Sequence, residues 1–498
     1  MTVPILSEKS LSREPVRMLT SLKLPYSEGT HMISTLELST LDMLFDNYIS
    51  VLLFYDVAAS QAAACSAPPA AHVNAAEPVR RLQRAVEEML VHYPCAGGLL
   101  VYNEGDDRLE VKYAMPTHLY GSSTKGSSYG NGNDKHLSHD AADLHETPPY
   151  GVHFHVAHAN VSLADLGDVS NPHPALDVLY PKKPIPQLDS KCHPLPRFVM
   201  AFQITMFKCG GFTLGHTCSH AYADGHTGAG ILQNLCSIAR GDGLANFLQP
   251  ISSRRAVINA REPPSPTIPH TYIKAQKNVE PDDVKRLRYG TATRFRFTMD
   301  ALEELRASAL TPEKTKGCSR NQALVALLWT AFARVSLKVH GLPRNHDLNF
   351  WVPMNMRTRG LSMGYMGNAL CELSVPATLE ELSEKPLSYV VDKIVKTIES
   401  FDVVEGLQSL VDYLEVQFRD GLIPSIEGVG MPSLVALPFY DTDCGWGTPT
   451  YVARPSQQLC NRCIILDHPT AKAWNVLVVF ASTQELACFQ ESIALYIS

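Results

Sequence analysis

Residues 219–228 read SHAYADGHTG and set His220, Asp224 and His226 in one short, turn-like stretch, with His216 on the apolar run just before it. Side chains of these types could do one of two kinds of chemistry or none. Histidines and a carboxylate can ligate a metal, and histidines four apart on a helix would resemble a zinc motif. Here His216 and His220 fall on what reads as a strand and its exit, and no HExxH glutamate accompanies them. An imidazole at the end of a buried strand can instead serve as a base: rigid backbone holds it, it faces the space beyond the sheet, and its ordinary pKa near 6.5 suits proton transfer at neutral pH. The plainer account, for the segment alone, is a core histidine satisfied by a carbonyl.

The elements on either side fix where this segment must lie. FVMAFQITMF and FTLGHTCS, separated by KCGG, read as a β-hairpin ending at the histidine. Beyond the polar joint the period becomes helical, with Ile231, Leu232, Leu235 and Ile238 on one face and Gly241 placed to end the helix. Upstream, residues 49–55 suit an interior strand, and PVRRLQRAVEEMLVHYP puts Val79, Leu82, Val86, Met89, Leu90 and Tyr93 on one helical face, Pro78 in the first turn and Pro94 as the stop. Downstream, RFRFTMD, HDLNFWVPMNMRTRG and WNVLVVFAS read as strands, while CSRNQALVALLWTAFARVSLK and TQELACFQESIALYI read as helices.

At 498 residues the chain is too long for one ordinary core. The expected division is an N-terminal domain over 1–248, a proline-rich crossover over 249–285 and a C-terminal domain over 286–498. Residues 116–149 are Gly, Ser, Asn and Asp rich and read as a surface insertion, whose His136, His139 and His145 suit solvent better than a metal. The formal charge of −7, without a Lys/Arg block, excludes the electrostatic footprint of nucleic-acid binding. Residues 1–25 carry no apolar core of the signal-peptide kind and no window offers the roughly 18 apolar residues of a membrane span, so the expected address is the cytoplasm; a monomer is also expected. Of twelve cysteines, Cys209, Cys218, Cys236, Cys371 and Cys488 lie in apolar runs and read as free thiols. Cys460 and Cys463 form a lone CxxC, read as two thiols at a strand entrance.

HAYADG, with PFYDTDCGWGTP far downstream, resembles the paired HxxxDG and DFGWG signatures of the plant BAHD acyl-CoA-dependent acyltransferases. STLD, YPCAGGL, FKCGGFTLG, ARG, MNMRTRG and YMGNA extend the resemblance over nearly the whole chain. It implies an α/β fold of two chloramphenicol-acetyltransferase-like domains with a channel between them. It also implies His220 as the base that takes the acceptor's proton and returns it to the CoA thiolate, with acyl-CoA as co-substrate and no metal or other cofactor. Asp224 would pair with Arg357 and hold the loop, with Gly225 permitting a tight turn beside it. Asp443, Gly445, Trp446 and Gly447 would brace the domain interface and the CoA mouth, with Cys444 standing where the family has Phe.

The FKCGG hairpin is most similar to the hydroxycinnamoyl-CoA branch, which includes shikimate, quinate and hydroxyphenyllactate transferases. In the shikimate enzymes a threonine and a tryptophan line the acceptor pocket; the matching positions here hold Pro432 and Leu434. Arg419 falls at the spacing of the arginine that clamps the acceptor carboxylate. Together these imply an acidic, more apolar acceptor such as a hydroxyphenyllactate, with a long-chain ω-hydroxy acid, an amine or a silent thioester binder as the rival readings.

Overall fold

The structure, a computed structural model, describes residues 18–19, 31–57, 76–116, 150–183, 196–246, 248–277, 289–310, 317–459, 462–469 and 472–497. The insertion from residue 117 onward, with its three histidines, and Cys460 of the CxxC pair lie outside them.

In the first half, β1 (Tyr48–Tyr55), α1 (Ala76–His92), β2 (His153–Ala159), β3 (Met200–Phe207), β4 (Phe212–Ser219) and α2 (Gly225–Arg240) carry the site. The expected hairpin is β3 and β4, joined through a turn in which Gly210 has φ 81°, and both strands are buried along their whole length. β4 is central: it pairs antiparallel with β3 and with β1, in the registers Met200↔Cys218 and Tyr48↔Ser219. A strand so placed is fixed from both sides, and so is the residue that follows it. On one face the sheet packs against α1 and α2, where Leu82, Val86, Met89, Ile231, Leu232 and Leu235 are fully buried. Each such side chain contributes roughly 1.5–3 kcal/mol of burial free energy.

In the second half, β5 (Tyr289–Thr298), α3 (Arg320–Lys338), β6 (Phe350–Asn355), β7 (Leu370–Val375), α4 (Val403–Arg419), β8 (Val429–Gly430), β9 (Tyr451–Ala453), β10 (Arg462–Asp467), β11 (Ala473–Phe480) and α5 (Thr483–Ile493) follow. Six of these strands, with Gln457–Leu459 at the edge, build one mixed sheet in the order β7-β6-β8-β10-β11-β5. Strand alternation gives it two unlike faces. Phe295, Phe350, Val375, Cys463, Ile465 and Val476 meet α3 and α5 in a second core. The opposite face carries Arg294, Trp351, Glu372, Arg462 and Asn475.

Two features cross the expected domain boundaries. β9 leaves the second half and pairs with β1 (Val452↔Leu53), and Phe439, Cys444, Trp446 and Val452 pack into the first core. Residues 438–453 therefore belong physically to the first sheet, because β1 offers an open edge that β9 closes. The crossover is also not wholly irregular: Ile273–Lys277 pairs antiparallel with Leu422–Ile426.

Candidate active site

His220 is the first residue beyond β4. Its N–H donates to Asn47 O at 2.7 Å, extending the β1–β4 register one step, and its ring lies 4.9 Å from that of Phe45. The side chain keeps partial exposure, while Nδ1 is enclosed with no partner from another residue among those described. Nε2 is thus the ring nitrogen free to take a proton. Burial lowers the pKa of His220, and Asp224 pulls it the other way. The imidazole is neutral, hence a competent base, at pH 7.

Asp224 turns away from that ring. It is the N-cap of α2, and Oδ1 accepts from Thr227 N at 2.9 Å. Arg357 donates to it twice, from Nη1 to Oδ2 at 2.6 Å and from Nη2 to Oδ1 at 3.2 Å, while Ala369 N reaches Oδ2 at 3.0 Å. Nε of Arg357 donates to Tyr365 O, and Nη2 also to Thr227 Oγ1 and Gly367 O. Both partners are almost wholly buried, and these contacts hold the Asp224 carboxyl below its ordinary pKa against the opposing pull of burial. A carboxylate so saturated has no lone pair left for an imidazole. What it does is lock the His220 loop onto the second half.

Gly225 departs from expectation. It is the first residue of α2, and its φ is not in the left-handed region, so no tight turn calls for glycine there. A Cβ at this position would stand 3.2 Å from Leu437 and 3.4 Å from Leu434. The glycine serves close approach of these leucines to the helix start.

The DCGWG segment sits at the other end of α2. Asp443 Oδ1 accepts from Gly445 N (2.7 Å) and Gly447 N (3.0 Å), closing a loop in which both glycines have positive φ, 93° and 86°. Arg240, in the last turn of α2, donates to Asp443 O at 3.0 Å. Trp446 lies under the Arg81 guanidinium at 4.4 Å and edge-on to Phe212. Cys444 is fully buried, with Sγ 3.6 Å from Tyr55 Oη. Sixteen helical residues separate this loop from the Asp224 end, ~24 Å of axis. It braces α2 at the end opposite His220. A surface cleft of about 550 Å³ opens along α1 nearby, lined by Arg80, Arg84 and the Arg81–Glu77 ion pair, and is equally remote from the imidazole.

Arg419 does not offer a free fork. Its Nε donates to Glu415 at 3.0 Å and its Nη2 to Glu262 at 2.7 Å, on a side chain about half exposed. The carboxylates it would seek in a ligand are supplied by the chain itself. Pro432 and Leu434 run beside β10, with Ile465 N donating to Pro432 O and Leu434 N to Ile465 O, and Leu434 touches both the sheet and the first core.

Sequence reasoning did not reach a second buried knot at this junction. Asp42 of STLD meets Arg254 at 3.4 Å and accepts from Asn368 N of YMGNA at 2.8 Å, while Arg254 also donates to Tyr222 O. The motifs were visible; Arg254, in the proline-rich part of the crossover that precedes its strand, had no periodicity to mark it. Among the described residues no three His, Cys, Asp or Glu side chains converge as metal ligands would.

The two half-sheets and the strand-end histidine between them define an acyltransferase of the two-domain chloramphenicol-acetyltransferase type. The fold is that of vinorine synthase (TM-score 0.63, 19% identity, 95% of this chain and 96% of that one) and of F. graminearum TRI101 complexed with coenzyme A and T-2 mycotoxin (TM-score 0.70, 15% identity, 93% and 99%). The Transferase family profile matches residues 149–495, and the chain belongs to that family, the BAHD acyl-CoA-dependent acyltransferases. Similar proteins include shikimate O-hydroxycinnamoyltransferase of Nicotiana tabacum, 25% identical over 68% of this chain and 78% of that one. Omega-hydroxypalmitate O-feruloyl transferase of Arabidopsis thaliana is 27% identical over 83% and 82%. Rosmarinate synthase of Plectranthus scutellarioides is 26% identical over 63% and 72%.

Proposed function

We propose that this enzyme moves a hydroxycinnamoyl group, coumaroyl or caffeoyl, from its CoA thioester to the hydroxyl of a small acceptor, with His220 as general base. An alcohol is far too weak an acid to ionise beforehand, so its proton must leave as it attacks the thioester carbonyl. Nε2 of His220 takes that proton. The imidazolium then gives it to the CoA thiolate as the tetrahedral intermediate collapses, so the transfer is direct within a ternary complex. The observation that carries this reading is the neutral, half-buried ring with one nitrogen free, held by backbone alone while Asp224 is committed to Arg357. Several relatives are named for hydroxycinnamoyl transfer, which supports the donor class.

The reading includes a cytoplasmic monomer. Buried free thiols such as Cys95, Cys218, Cys371 and Cys463 suit a reducing compartment. No described helix is long and apolar enough to cross a membrane. The test is CoA release from p-coumaroyl-CoA and palmitoyl-CoA against acidic, polyol, fatty and amine acceptors. Absence of release with every pair, or equal release by His220→Ala, defeats the proposal.

A further inference from the structure

With Arg419 engaged, an acidic acceptor needs another cation, and the polar face of the second sheet presents one. Across a single rung of that sheet, Ser374 pairs with Trp351, Trp351 with Gly430, and Gly430 with Arg462. Gly430 has no side chain, and the Trp351 indole lies across the space a Cβ there would fill. The Arg462 guanidinium sits 4.8 Å from the centre of that ring. No hydrogen bond or ion pair holds the guanidinium among the described residues. Two rungs along, on the same face and toward Ala369, stands Glu372, opposite Pro353; it is 2% exposed, and neither carboxyl oxygen has a partner among the described residues. Trp351 Nε1 is likewise buried and unpartnered.

Two segments that flank this cluster lead to the loop that follows His220. Pro432, at one of the positions that resemblance assigns to the acceptor pocket, runs alongside on the β8 path, which leads to Leu434 against the start of α2. Ala369, which binds Asp224, is three residues before Glu372, ~10 Å of strand. Burial pushes the Glu372 carboxyl up to about 8 against the pull of Arg462, so at neutral pH it holds its proton and leaves the guanidinium charge uncancelled. The O–H of Glu372 and the N–H groups of Trp351 and Arg462 are then all donors, and a guanidinium fork matches a planar carboxylate.

We propose that Arg462, seated on Trp351 beside Glu372, is the clamp for a carboxylate on the acceptor, in the role expected of Arg419. This rests on the acyl-transfer reading of His220, and the experiment separates the two. The full chain and its Arg462→Gln, Arg462→Lys and Arg419→Ala variants are assayed with p-coumaroyl-CoA and paired acceptors: 4-hydroxyphenyllactate and shikimate, each against its methyl ester. Arg462→Gln is expected to raise KM for the acids by roughly 10- to 100-fold, the worth of a charged hydrogen bond, with the ester KM and all kcat values little changed. Lysine should restore part of the difference, and Arg419→Ala should leave acid and ester alike unaffected. Equal losses on acid and ester, an acid-specific loss in Arg419→Ala, or a wild-type preference for esters or amines overturns the clamp. Should the wild type release no CoA from any pair, the transfer reading fails, and calorimetric binding of the acids decides the clamp. Binding to wild type weakened by Arg462→Gln supports it; undetectable or unchanged binding refutes it.

Discussion

At the scale of single residues, His220 and Asp224 are four positions apart and do unrelated work. On the proposed mechanism, removing the imidazole removes the base and little packing. His220→Ala should lower kcat by roughly 10²- to 10⁴-fold with the melting temperature near wild type, measured by CoA release and thermal unfolding. The His220 pKa is displaced below its ordinary 6.5 by burial, so the base form dominates at neutral pH. kcat/KM should stay level near pH 7 and fall only as pH drops through a value under 6.5. A pH–rate limb centred above 7 would contradict the burial of that ring. Asp224→Ala has the opposite signature. It strands the buried Arg357 guanidinium, a cost of about 3–5 kcal/mol, and should lower stability sharply in denaturant titration.

At the scale of elements, α2 is pinned at both ends. Asp224 caps its start and ties it to the second half, and the Asp443 loop grips Arg240 in its last turn. Gly445→Ala tests the far pin: at φ 93° an alanine is strained by about 1–2 kcal/mol, and its Cβ would press on Arg81. Stability should fall by about that amount while KM for both substrates changes little, since the loop stands a helix length from the imidazole. A selective rise in KM for acyl-CoA would instead assign this loop to the CoA mouth. The pinning also explains why DCGWG tolerates Cys444: the sulfur meets Tyr55 at the base of the loop, and the contacts that hold α2 come from Asp443, Trp446 and the backbone.

At the scale of the molecule, two sheets each turn one apolar face to helices, and the other face mixes apolar clusters with buried polar side chains such as Gln203, Thr205 and Glu372. Glu372 is one that burial perturbs strongly. Its folded pKa, about 8, lies above the ordinary 4.5, so the folded state keeps a proton that the unfolded state releases, and stability is lost as pH rises from about 4.5 through about 8. Glu372→Gln removes that titration. The gain in melting temperature over wild type should therefore be larger at pH 9 than at pH 5, and a gain that does not grow with pH would mean the carboxyl is not held in a dry site.

The local pattern of the chain reached a long way. The hairpin, the α2 face from Ile231 to Ile238, Gly241 at the helix end and the strand before His220 follow from short-range periodicity and turn chemistry, which the backbone obeys wherever the elements are later packed. The same periodicity placed α3, α5 and β11. It could not place β9 beside β1, because three residues of strand carry no register signal and the edge they close lies some four hundred residues upstream in sequence. Nor could it show that Arg419 is spoken for by Glu262, a residue of the crossover.

What the sequence by itself determined was the position of His220 at a strand end and the elements that aim it, since a strand end and a helix cap are local events. What only the tertiary structure decided was which charges are free. Arg357, Arg419 and Arg462 look alike in the sequence, yet the first is saturated by Asp224, the second is paired with two glutamates, and the third is left on an indole beside a protonated acid. Availability of a charge depends on desolvation and on partners that folding brings from far along the chain, and neither is encoded in the residue's own neighbourhood.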